Sequence, residues 1–139
     1  MRFDIYTDSS HTHHHGGIAA CAYFIIKNLE PYCNEVVVLQ GFRNSNQGEL
    51  HAVRMSLERL LADKDAPTSV YVFTDHRNIT DRPKMKYKNE ILGNILPELE
   101  QKGVSVEFVY VKGHSGNKLN NTVDQNARKY LREYVKKMA

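Results

Sequence analysis

The chain has 139 residues, 41% hydrophobic and 25% charged, enough for one domain over residues 1–139 with a buried core. A net charge of +3 and a pI near 8.8 permit a polyanionic partner without requiring one, and the two cysteines, Cys21 in an apolar run and Cys33 in a polar stretch, share no redox or metal-ligand spacing. The opening MRFDIYTD is too short and polar for a signal peptide, and no apolar run approaches the ~18 residues of a membrane span, so composition predicts a soluble cytoplasmic protein with reduced thiols and no membrane partner.

The first predicted element is a strand over 2–8, followed by a longer apolar strand over 17–27 and a third over 35–42, and the short polar turns between them make a meander. An amphipathic helix over 46–64 follows, with Leu50, Val53, Leu57, Leu60 and Leu61 at helical spacing. A buried-type strand over 69–75 comes after the breaker APTS. The segment 89–103 reads as a helix interrupted near Gly93 and Pro97 and stopped at Gly103. A fifth strand over 104–111 leads through KGHSGNKLNN into a last helix that buries Val123, Ala127, Tyr130, Leu131 and Tyr134. The order βββαβαβα predicts a mixed α/β domain, a meander followed by helix-crossover strands.

Two of the strands end alike, in YTD (Asp8) and FTD (Asp75). If they are parallel neighbours, their carboxylates converge where open α/β sheets place ligands. At 100° per residue, Glu49 lies about 20° from Leu60, and Asp124 lies about 20° from Leu131, so both acids sit at the edge of a buried stripe. Taken singly each has a plainer explanation: NQGE and NTVD resemble capping boxes, and an Asp after a strand is a common turn former. Four carboxylates brought to one place would repel one another, and a hard divalent cation with oxygen ligands, most naturally Mg²⁺, is the physical remedy.

The segments YTDSS, GELHAV, VFTDHRNI and VKGHSGNKLNNTVDQNAR, in this order and spacing, resemble the four signature segments of type I ribonuclease H, over almost the whole chain. The last is the most specific: a strand ending in VKGHSG, then an Asp ten residues beyond the His. The resemblance implies an RNase H-like five-stranded mixed sheet, an antiparallel meander plus parallel strands, flanked by helices. It implies endonucleolytic hydrolysis of the RNA strand of RNA–DNA hybrids to 5′-phosphate and 3′-hydroxyl ends by a monomer. Two Mg²⁺ ions would serve, with Mn²⁺ as the substitute, ~3.5–4 Å apart. By position, Asp8, Glu49, Asp75 and Asp124 match the metal-binding acids, with Asp8 bridging, Glu49 and Asp75 on the leaving-group side and Asp124 on the water side. His114 matches a loop histidine that assists proton handling or product departure. Ser9 and Ser10, directly behind Asp8, are expected among the substrate contacts.

Three departures qualify the match. The stretch SSHTHHHGG replaces a turn that commonly contains Gly and Pro, and its histidines admit three readings: a tag remnant, which an internal position argues against; a zinc site, for which the spacing is poor; and a loop at the rim of the site, either solvated or meeting phosphates. Asn46 and Gln47, the expected readers of ribose 2′-hydroxyls, sit one position closer to Glu49 than the family's polar pair. The segment 80–89 offers Arg82, Lys84, Lys86 and Lys88 in place of a longer basic protrusion, either as phosphate contacts or as a solvated loop. Two other functions stay open on this reading: a non-catalytic module that binds hybrids or duplexes, and a nuclease of the same fold acting on DNA.

Overall fold

The computed structural model describes residues 2–13, 16–62, 69–75, 92–111 and 118–138. Among these, one sheet contains β1 (Arg2–Thr12), β2 (Ile18–Lys27), β3 (Glu30–Gln40), β4 (Ser69–Thr74) and β5 (Ser105–Tyr110), in the order β3-β2-β1-β4-β5. The helices are α1 (Ser45–Leu61), α2 (Ile95–Gln101) and α3 (Lys118–Met138). β1, β2 and β3 pair antiparallel, while β4 pairs parallel with both β1 and β5. This is the expected mixed sheet and the expected order of elements.

The two sheet faces are covered by different helices, as strand alternation requires. On one face Phe3, Ile5, Ile25, Val70 and Val72 pack with Leu50, Val53, Leu57 and Leu60 of α1 and with Ile95 and Leu99 of α2. On the other, Ile18, Ala20 and Ala22 of β2 pack with Val123, Ala127 and Leu131 of α3. The small β2 residues let α3 approach closely. Tyr134 is half-buried as part of this cluster, but Tyr130, expected inside, is 47% exposed: it stands about 60° round the helix from Ala127, beyond the edges that Val123 and Leu131 mark at about 40° on either side.

Several boundaries differ from the sequence expectation. β1 continues past Asp8 because Ser9, Ser10, His11 and Thr12 pair with Cys21, Ala20, Ala19 and Ile18. The histidine run therefore begins inside a strand. β3 starts at Glu30, its polar first half held by pairing with β2; Pro31 and exposed Glu30 and Glu35 suit its place at the sheet edge. α2 is short, beginning after Asn94, with Pro97 in the first turn, where no backbone N–H is needed. Gly103 (φ +79) stops it as expected, its N–H donating to Glu100 O at 2.9 Å. Both cysteines are free thiols, and no described helix is long and apolar enough to cross a membrane.

Candidate active site

The repeated Thr-Asp acquires its meaning from register. Tyr6 of β1 lies opposite Phe73 of β4, and the two rings stack with centroids 4.7 Å apart. Two residues further along, on the same face, come Asp8 and Asp75, so the parallel pairing brings both carboxylates to one end of the sheet.

Glu49 reaches the same point from α1. The helix is capped by Asn44, whose Oδ1 accepts from the Gln47 N–H at 3.1 Å, while Gln47 Oε1 accepts from the Arg43 N–H at 2.6 Å. The cap is therefore Asn44, with Gln47 reaching back to the N–H just before it, and the capping explanation for Glu49 fails. Glu49 instead lies inside the domain at 6% exposure. Carboxylate oxygens of Asp8, Glu49 and Asp75 all lie within 4.8 Å of one another.

Ser9, expected among the substrate contacts, is turned toward Glu49. Its N–H donates to Glu49 Oε1 at 3.0 Å and to Asp8 Oδ1 at 2.8 Å, and its hydroxyl lies 3.3 Å from Glu49 Oε1 and 3.4 Å from Ser45 O. Gly48 makes room for it: a Cβ there would stand 2.9 Å from Ser9 Oγ. Strand alternation carries the signal for this contact, since residues 7, 9 and 11 face α1. Ser10 lies half-buried two residues beyond Asp8, on the face opposite to Ser9.

The surroundings make ionisation costly. Burial first, then the charge of Asp75 and a hydrogen bond with Asp124, push Asp8 up to about 7 against the opposing effects of Glu49 and the Ser9 N–H. Burial, followed by the charge of Asp8, raises Glu49 well above the usual carboxylate range. Glu49 Oε2 is buried without a hydrogen-bond partner. Beneath the site the buried Cys21 thiol is pushed up to about 12 by burial and then by the charge of Glu49, which makes it an inert floor.

Asp124 meets this trio at Asp8 but in different surroundings. α3 is already under way at Lys118, so NTVD lies inside the helix and is not its cap. The Asp124 side chain is 20% exposed, and its Oδ1 pairs with Arg128 Nε at 3.3 Å, one helical turn on, while it also meets Asp8. Asn46 and Gln47 are half-buried in the first turn of α1. His114, Arg82, Lys84, Lys86 and Lys88 lie outside the described residues, as do His14 and His15.

A divalent cation fits this donor set. Three carboxylates converge, all ligands are oxygen, and one buried carboxylate oxygen lacks any partner that protein groups supply. A family model described as RNase H matches residues 2–132. A ribonuclease H of Caldicellulosiruptor saccharolyticus is 28% identical over 145 residues, covering 93% of this chain and 95% of that protein.

Proposed function

The chain belongs to the RNase H family, and from that membership we propose that it is an endoribonuclease that hydrolyses the RNA strand of RNA–DNA hybrids to 5′-phosphate and 3′-hydroxyl ends, using two divalent cations, Mg²⁺ or its substitute Mn²⁺. The observation that carries the reading is the convergence of Asp8, Glu49 and Asp75 within 4.8 Å, with Glu49 Oε2 buried and unsatisfied. When bound, the cations supply Lewis acidity to the attacking water and to the departing oxygen.

The residues of the chain do the rest. Asp8 lies at the centre of the acids, against Glu49 on one side and Asp124 on the other, which suits the bridging role. Ser9 fixes the orientation of Glu49 through a backbone and a side-chain donor, so this ligand is held before substrate arrives. Gln47 has its carbonyl oxygen committed to the Arg43 N–H, which turns its amide nitrogen into the group able to donate to a ribose 2′-hydroxyl. His114 would handle the proton at the leaving group, and Lys84, Lys86 and Lys88 would neutralise backbone phosphates.

The test is cleavage of an end-labelled RNA–DNA hybrid beside duplex RNA and duplex DNA, with Mg²⁺ or Mn²⁺ and with a chelator. Metal-dependent cutting of the hybrid RNA alone is expected. Tight binding without turnover would instead identify a binding module, and preference for DNA would identify a nuclease of a different specificity.

A further inference from the structure

The histidine run begins on the same face of β1 as Ser9. His11 pairs with Ala19 of β2, and its Nε2 lies 2.9 Å from Phe42 O in the connection between β3 and α1. A carbonyl only accepts, so Nε2 carries the proton and donates. Gly17 forms the other wall of the niche that receives this carbonyl. Its φ is +96°, and a Cβ there would fall 1.9 Å from Phe42 O. The Gly41 N–H donates to Gly17 O at 2.9 Å. Phe42 and Gly41 are thus both tied to the β1–β2 hairpin. The ties continue without a gap into α1 through the Arg43 N–H to Gln47, the Asn44 cap and the Ser9 hydroxyl near Ser45 O.

We propose that His11 is a positioning residue for substrate binding, a latch that holds the 41–44 connection on β1 and thereby fixes Asn46 and Gln47 relative to Asp8. This rests on the reading of the first turn of α1 as ribose-facing. The latch is separable from the acids. Glu49 has its own support in Ser9, and the rest of α1 is anchored by buried Leu50, Val53, Leu57 and Leu60. Loosening residues 41–44 therefore leaves the carboxylates in place and blurs only the residues ahead of them. His13 serves as an internal comparison: it is exposed and meets the His11 ring edge-on, with centroids 4.8 Å apart.

The experiment compares wild type, His11→Ala, His11→Gln and His13→Ala in two ways: steady-state cleavage of the hybrid over a range of Mg²⁺, and amide hydrogen exchange at Gly41 in protein free of metal and substrate. His11→Ala should raise KM roughly three- to ten-fold, the scale of one positioned hydrogen bond, with kcat within about two-fold and the half-saturating Mg²⁺ concentration unchanged. His11→Gln, whose amide N–H can donate to the same carbonyl, should recover most of the loss, and His13→Ala should behave as wild type. Gly41 exchange should quicken in His11→Ala alone. An unchanged KM, a kcat loss as large as the KM rise, or a His13→Ala variant as impaired as His11→Ala would overturn the latch. If the wild type cleaves no hybrid, the functional reading fails by itself, and equal Gly41 exchange in wild type and His11→Ala still refutes the latch.

Discussion

Helices α1 and α3 each deliver a carboxylate to Asp8, but from opposite faces of the sheet and into opposite surroundings. Glu49 is buried at 6% exposure, held by two donors of Ser9, with its second oxygen unsatisfied. The Asp124 side chain is 20% exposed and balanced by Arg128 one turn away. A carboxylate that the protein itself neutralises tolerates the absence of a cation. One buried beside two others does not, and its geometry is set in advance at a cost to the metal-free fold. The α1 side thus carries a preset carboxylate whose burial a cation would relieve, whereas the α3 side is already balanced by Arg128.

The largest expected effect separates the two flanks directly. Glu49→Gln should take hybrid cleavage down to the level of a chelator control while raising the melting temperature of the metal-free protein, since it removes a buried charge. Asp124→Asn should leave cleavage measurable and shift metal-free stability by no more than about 0.5 kcal/mol, as expected for a part-exposed ion pair. Equal losses of activity and equal stability changes in the two variants would erase the distinction.

A second effect follows from linkage. Asp8 is raised from 3.8 to about 7 and Glu49 is raised in the same sense, so the folded state holds protons that the unfolded chain releases. The stabilising contribution of Asp8 is complete below about pH 4 and is lost as pH rises through the window to about 7, and that of Glu49 changes in the same sense. Metal-free thermal unfolding should show a falling melting temperature across that window, and Asp8→Asn should flatten the fall. A metal-free melting temperature that rises between pH 4 and 7 in wild type and variant alike would place the strain elsewhere.

The smallest effect tests how the α1 side is built. Gly48→Ala gains helix propensity of about 1 kcal/mol but crowds Ser9 Oγ and the Ala19 Cβ, at 2.9 and 3.2 Å. Overpacking of this kind costs about 1–3 kcal/mol, so a net loss is expected by urea unfolding. Combining it with Ser9→Gly should return part of that loss, a coupling above ~0.5 kcal/mol in a double-mutant cycle. Strict additivity would mean that Gly48 does not exist to seat Ser9.

The same contrast explains what was legible in the sequence. Apolar spacing located each described helix and strand, because burial of Leu50, Val53, Leu57 and Leu60, or of Val70 and Val72, dictates the period. The extension of β1 through SSHT was not legible, since polar residues became strand only by pairing with the apolar run Ile18–Cys21. Glu49 could be placed by its angle on the helix, yet its cap could not. Asn44 to Gln47 and Asn46 to Glu49 are both plausible boxes by spelling, and only the convergence with Asp8 and Asp75 decides between them. The NTVD segment misled for a similar reason: helix α3 starts earlier than that box implies. The contacts of Ser9 and His11 depend on which strand face meets α1, a fact of packing that composition does not carry.

The most direct test of cation binding is the thermal stability of wild type, Asp8→Asn and Glu49→Gln at pH 7.5, each titrated with Mn²⁺ in the absence of nucleic acid. Ligands that bind only the folded state raise the melting temperature with concentration. The wild type should show a saturating rise that both variants largely lose. A rise of the same size in all three, or none in the wild type at concentrations that support cleavage, would contradict the assignment of Asp8, Glu49 and Asp75 as the residues that hold the metal.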